Sequence, residues 1–482
     1  MMSFLLTTYY NVIMSWALFY LVSSFSPSLP WEGCDHSWNT DMCRSIIGDN
    51  DTMKDNTSLT DNTHSSTQEF YDKRVLQMTG GIEDMGSFSW ELFGALLVAW
   101  IMVYFAIWKS VKVTGKVVYV TATVPFILLV IFTIRACTLP GADEGLRIFF
   151  TPDWSGMLQP KVWVYAAAQV FNSVGIAFGS LIAFASYQDF NGPILRNTLI
   201  VIVIDAITCI LCGVCVFATL GSLAFSQGTT VDKVVTQGPG LVFVVFPHAL
   251  SQLPLPQLWA VVFFAMLVCL GIDSQFAMVE VVITSVKDAF EHTLSTKNVR
   301  HELVVLFVCV ISFCCGLPNL FQGGIYFFQI IDFYTAAISL MYIALFETVA
   351  IVWLYGVRRL SDNIEEMTGR QPNIIFKFCW MFVSPVLILV IWIFTLYDYE
   401  APSYGDYSYP WWCILLGWCI AALSILPIPV MAVIAIINAE GKTLLDKIKS
   451  AASPKMEEKD EHLKAKEAYQ DQFKMADIQS RL

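Results

Sequence analysis

The sequence predicts an all-α, polytopic membrane protein with about ten transmembrane helices, and three observations predict it. Of the 482 residues, 56% are hydrophobic and only 14% are charged, whereas soluble domains carry about 25% charged residues. The mean hydropathy is +0.60. Apolar windows long enough to cross a hydrocarbon core of roughly 30 Å recur along the whole chain, with polar stretches between them.

The first window, 4 to 25, makes residues 1–25 a transmembrane helix. It lacks the basic start and small-residue cleavage site of a signal peptide and contains the polar run TTYYN. Residues 26–88 read as a hydrated extracellular loop, because eleven acidic and four basic residues lie between Glu32 and Asp84. Much of the net charge of −12 sits there, so the charge points to neither nucleic acid nor an anionic membrane surface. Of 13 cysteines only Cys34 and Cys43 fall in this loop, and a disulfide between them is expected on the oxidising side. Two N-x-[ST] sequons, at Asn50 and Asn56, predict glycosylation of the same loop.

Windows 89 to 108 and 117 to 138 make residues 89–138 a pair of spans, and 139–161 a second extracellular segment. Five windows follow within 162–355: 162 to 187, 196 to 224, 256 to 286, 300 to 320 and 322 to 355. Between the second and third, residues 225–256 are broken by Gly, Pro and Ser and predict a compact external hairpin able to act as a lid. The last two windows, 373 to 397 and 407 to 437, place two spans in 356–437; residues 438–482 form a cytoplasmic tail, balanced in charge and weakly helical. With 26–88 outside, alternation puts both termini in the cytoplasm. It also gathers Lys109, Lys112, Lys116, Arg358, Arg359 and Arg370 on the inner side, as the positive-inside rule requires.

Ionisable groups inside spans are costly and by default functional. Those here, Asp205, Asp273, Glu280, Asp332 and Glu347, are all acidic, and no Lys, Arg or His lies well inside a span to pair with them. In LGIDSQF, the Leu270 carbonyl, Asp273 and Ser274 fall within about one helical turn, an oxygen set suited to a hard cation. The stretch QVFNSVGIAFGSLIAFASY places Gly175 and Gly179 in mid-span. An unwound helix there frees backbone N–H and C=O groups for a solute's carboxylate and an ion. No buried His or metal-ligand cluster suggests an enzyme.

At these residues the sequence resembles the neurotransmitter:sodium symporter family. The likeness runs from Tyr9 to about Gly441 and is carried by YYNVIMSWALFYL, LPWEGCDHSWNTDMC, AAAQVFNSVGIAFGSLIAFASY, CLGIDSQFAMVEVVIT, YGVRRLSDNIEEMTG, CWMFVSPVL and YPWWCILLGW. The resemblance implies a five-plus-five inverted-repeat bundle, here incomplete: 162–355 matches the second repeat, residues 1–25 match the family's third helix, and its first two helices have no counterpart. It implies sodium-driven import of a small amino acid or amine by alternating access, at the plasma membrane. Homo-oligomerisation is left open, and the rival readings are a shortened, non-transporting regulatory subunit and an ion channel.

The resemblance assigns Leu6, Tyr10, Ser173, Gly175, Phe178, Ser274 and Gln275 to the substrate site, with Phe178 as its lid. It gives one sodium to Leu270, Asp273 and Ser274, and another to Ser173 and Asp205. Asp332 matches the acidic half of an outer gate; Tyr187 and Asp288 match the inner gate, and both aspartates would face arginines that this chain lacks. Gln169, Ser173, Asp205 and Cys209 occupy the chloride region. Chloride-dependent members typically have Asn and Ser where this chain has Asp205 and Cys209, which implies weak chloride dependence. The stretches GIDSQF and GGIYFF lean towards carriers of GABA, taurine or similar solutes.

Overall fold

A computed structural model describes residues 1–45, 64–108, 111–234, 238–290, 299–397, 399–405 and 407–452. The sequons at Asn50 and Asn56, and the tail beyond 452, lie outside the described residues. Its helices, in order, are α1 Met2–Ser23, α2 Trp90–Ile107, α3 Val111–Cys137, α4 Ala142–Phe150, α5 Pro160–Val174, α6 Ser180–Ser186 and α7 Ile194–Gln227. Then come α8 Phe246–Ser251, α9 Pro256–Ala289, α10 His301–Gly316, α11 Gly324–Asp332, α12 Leu340–Val349, α13 Val357–Thr368, α14 Ser384–Tyr397, α15 Trp411–Ile425 and α16 Pro427–Asn438.

Nine helical stretches among the described residues are long and apolar enough to cross a membrane. The sequence predicts ten, and the difference is the 162–187 window, which is split into α5 and α6. Between α7 and α9 the described residues form short helical pieces, Val231–Val234, Leu241–Val245 and α8, before Pro256 starts α9. A π-helical segment, Phe333–Ser339, joins α11 to α12.

The chain divides into two units. The first comprises Met1–Ala344 and Ile388–Ser424; the second comprises Leu345–Leu387 and Ile425–Leu482. In the second, the Trp353 indole donates to the Met381 carbonyl at 3.1 Å.

Within the first unit α1 is the central element, and its C-terminal half is pinned by aromatic packing. Trp16, Tyr20, Trp31, Phe70, Tyr71, Phe243 and Phe264 are almost wholly buried, with Tyr20 against Phe264 at 4.8 Å and Tyr71 stacked on Phe243 at 5.7 Å between ring centroids. Each such pair contributes about 0.5–1.5 kcal/mol beyond area burial. The Tyr20 hydroxyl donates to the Phe243 carbonyl at 2.8 Å, so helix, loop and hairpin share one core.

The Cys34–Cys43 disulfide expected from the sequence is present, with 5.8 Å between Cα atoms. Beside it Glu69 accepts hydrogen bonds from the Asn39 amide at 3.1 Å, the Thr40 N–H at 3.0 Å and the Thr40 hydroxyl. Desolvation opposes ionisation of Glu69, but these donors win and hold its pKa below the usual value. Asp72, one helical turn on, has no such cage. Its desolvation outweighs help from Gln68, His64 and Lys73, and pushes its pKa up to about 6.

Candidate functional site

The site is organised by the interruption between α5 and α6. Helix α5 ends at Val174 in a Schellman arrangement: the Gly175 N–H bonds the Phe171 and Asn172 carbonyls, and the Ile176 N–H reaches back to Phe171. Gly175 has φ +75°, Ala177 φ +65° and Gly179 φ +80°. Three left-handed residues in five stop the helical ladder and turn the chain before Ser180 starts α6. The two outer positions are glycines because a side chain there is strained. Ala177 carries that strain, as residues at functional breaks often do.

Helix α1 closes on this break. The Ser3 hydroxyl donates to the Phe178 carbonyl at 2.6 Å. One face over, the Tyr10 hydroxyl is hydrogen-bonded to Ser274 on α9. Leu6 is buried one turn before Tyr10.

Across the break, the Ser173 hydroxyl donates to Asp205 on α7 at 2.5 Å and lies 3.4 Å from the Cys209 sulfur. Gln169 sits one turn before Ser173 on α5. The two residues expected to share one sodium, Ser173 and Asp205, and three of the four expected in the chloride region, Ser173, Asp205 and Cys209, are therefore brought together. α5 buries none of its residues, so this oxygen cluster is open on one side.

The residues expected to hold the second sodium lie on unbroken helix. Leu270, Asp273 and Ser274 fall on one turn of α9, and the Asp273 carboxylate accepts from Thr121 of α3 at 2.5 Å. Leu270 also lines an apolar cavity of about 230 Å³, together with Phe126, Phe132, Cys212, Phe246 and Phe263. Thr208 is the one hydroxyl side chain among the residues lining that cavity.

The residues expected to form gates have partners other than those the sequence suggests. Asp332 faces a tyrosine in place of an arginine: the Tyr9 hydroxyl donates to it at 2.9 Å, while the Tyr9 ring packs edge-on against Phe328. Tyr187 makes its short contact with Glu280, at 2.9 Å, and lies 3.4 Å from Thr284. Asp288, two turns beyond Glu280 on α9, is exposed. Gln275 turns away from Ser274 and donates to the Thr7 carbonyl of α1 at 3.1 Å.

Sequence reasoning missed Ser3, Tyr9 and Thr121, and left Glu280 without a role. Its acidic side chain inside a span was the signal that pointed to it. Glu347, also intramembrane and acidic, belongs to the second unit. Among the described residues no group of three or more His, Cys, Asp or Glu side chains comes together to hold a metal ion.

The chain matches the model of the sodium:neurotransmitter symporter family over residues 1–439. It is similar to the sodium- and chloride-dependent GABA transporter ine of Drosophila melanogaster, with 46% identity over 462 residues, 95% of this chain and 48% of that protein. It is also similar to the sodium- and chloride-dependent GABA transporter 2 of Mus musculus, 41% identical over 439 residues, 91% of this chain and 72% of the relative. The sodium- and chloride-dependent glycine transporter 2 of Xenopus laevis is 40% identical over 479 residues, 94% of this chain and 60% of its own length. The chain thus spans about half the length of the fly relative and nearly three quarters of the mouse one.

Proposed function

Because the chain belongs to the sodium:neurotransmitter symporter family, we propose that it takes part in sodium-coupled import of a small amino acid or neurotransmitter-like solute by alternating access. It does so as a multi-pass protein of the plasma membrane with both ends of this chain in the cytoplasm. The observation that carries this reading is the α5–α6 interruption, whose backbone meets α1 at Ser3 and whose Ser173 meets the intramembrane carboxylate Asp205.

In the proposed cycle sodium binds first, at Ser173 with Asp205 and at Leu270, Asp273 and Ser274. The solute then lies between Tyr10 and Phe178, with its carboxylate met by backbone N–H groups of the break. Closure of the outer side brings Tyr9 and Asp332 together; opening of the inner side separates Tyr187 from Glu280, beside Asp288. With roughly 60 mV and a tenfold sodium gradient each ion delivers about 2.8 kcal/mol, so two ions support about 10⁴-fold accumulation of a neutral solute. Asp205 supplies a fixed negative charge where chloride would otherwise sit, which makes chloride dependence weak.

The test is uptake of a radiolabelled panel of small amino acids and amines by cells expressing the protein, in sodium and in choline medium. Saturable uptake that disappears in choline is the expected result. Sodium-independent current without accumulation indicates a channel, and modulation of another carrier without uptake indicates a regulatory subunit; either result refutes the symporter reading.

A further inference from the structure

We propose that the apolar cavity walled by α3, α7, α9 and the segment before α9 is a binding site for an uncharged, apolar ring compound of about nine or ten carbons, entering from the hydrocarbon of the bilayer. Of the residues expected to meet solute or ion, Leu270 alone lines it. The site therefore stands apart from the one built around the α5–α6 break.

Each wall is one face of a helix. Phe126, Leu129 and Phe132 on α3, and Phe263, Met266 and Leu270 on α9, recur three or four residues apart. Helix α7 contributes Thr208, Cys212 and Cys215 at the same spacing, and α8 adds Phe246. The Phe263 ring ties the walls together, stacked on Phe246 at 4.9 Å and edge-on to Phe132 at 5.5 Å between centroids. Phe132, Cys215, Phe263 and Met266 are buried and form the deep side.

Size and chemistry set the class of ligand. An apolar void of about 150 Å³ in another protein takes up benzene, so in proportion about 230 Å³ suits a ring system of about nine or ten carbons. The Thr208 hydroxyl donates to the Ile204 carbonyl of its own helix at 2.7 Å, and the two thiols are weak donors. A charged ligand, or one with a strong acceptor, gives up its partners outside and finds none within. Four of the lining side chains are phenylalanines, and aromatic rings packed on aromatic rings gain more than their buried area. A flexible chain loses rotational freedom on entry, whereas a fused ring has none to lose.

The way in is through the membrane. Phe126 and Leu270, on the open side, are 41% and 42% exposed, and they lie in mid-span of Val118–Cys137 and Pro256–Ala289. An apolar ring compound concentrates in that hydrocarbon, and once inside it gains dispersion contacts with every wall.

The experiment follows thermal denaturation of the purified full chain in lipid nanodiscs with three probes at matched bilayer mole fractions: naphthalene, its near-isostere quinoline, whose ring nitrogen is an acceptor, and decane. Naphthalene should raise the melting temperature saturably, with half of its effect at a mole fraction at least about tenfold lower than either of the others needs. Cys212→Phe fills the cavity from α7. It should raise the melting temperature without any probe and abolish the naphthalene shift. No saturable shift in the wild type, an equal response to quinoline, or a shift that survives in Cys212→Phe overturns the proposal. An equal response to decane also overturns it, since the occupant is then a lipid chain. If Cys212→Phe does not fold, Val216→Phe, one turn on along the same face, decides in its place. The measurement needs no transport, so it stands or falls separately from the symporter reading.

Discussion

Replacing Asp205 with asparagine tests the electrostatics of the α5–α7 cluster. The Ser173 hydroxyl donates to Asp205 at 2.5 Å, so a cation bound by that hydroxyl has a full negative charge nearby. At about 5 Å and an effective dielectric of 20, a unit charge pair is worth about 3 kcal/mol, or roughly a hundredfold in ion affinity. In the wild type this term is built in. In Asp205→Asn it is lost, and an external anion is required to restore it. Uptake with chloride replaced by gluconate reads the difference directly: the wild type should keep most of its rate, and the variant should become strongly chloride-dependent with a raised sodium requirement. Near-complete loss of wild-type uptake in gluconate would refute the reasoning, since the carboxylate would then not be substituting for the anion that the GABA- and glycine-transporter relatives are named for.

Three further outcomes are expected. Gly179→Ala forces a left-handed L-residue, costing about 1–2 kcal/mol, and sets a Cβ 3.3 Å from Val281. Gly175→Ala has similar strain but room at 3.6 Å, so thermal denaturation should show the 179 variant as the less stable of the two. Tyr9→Phe removes the donor to Asp332 and should cost about 1.5–3 kcal/mol in unfolding measurements, with full recovery not expected from any exposed tyrosine substitution. For Asp72 the folded pKa is raised to about 6 from an ordinary 3.8. The folded protein therefore keeps a proton that the unfolded chain releases, and stability falls as pH rises through about 4 to 6. Asp72→Asn should flatten that slope and stabilise the protein at pH 7.5 by at most roughly 3 kcal/mol; an Asn variant less stable than wild type at that pH would contradict the assignment.

Much of the architecture was legible because it is local. Apolar windows locate the spans, since backbone satisfaction in a bilayer leaves a long apolar segment little choice but helix. The positions of Gly175 and Gly179 locate the interruption, because left-handed backbone in mid-span requires them. The loop disulfide follows from two cysteines in a polar segment. The resemblance carried the rest of the site list, and Ser173, Asp205 and Cys209 do meet. Partners across helices were another matter. Nothing in the spacing of YYN says that Tyr9 faces Asp332, or that Tyr187 meets Glu280 two turns before Asp288.

The sequence by itself determined the class of molecule, the order of its spans, the place where one of them breaks and the acidic residues available inside the membrane. Only the tertiary structure decided which of those residues touch, as the Tyr9 hydroxyl does Asp332 and the Tyr187 hydroxyl Glu280. The reason is geometric: composition and period act over a few residues, whereas the rotation and register of α1 against α9 and α11 are set by close packing between segments hundreds of residues apart.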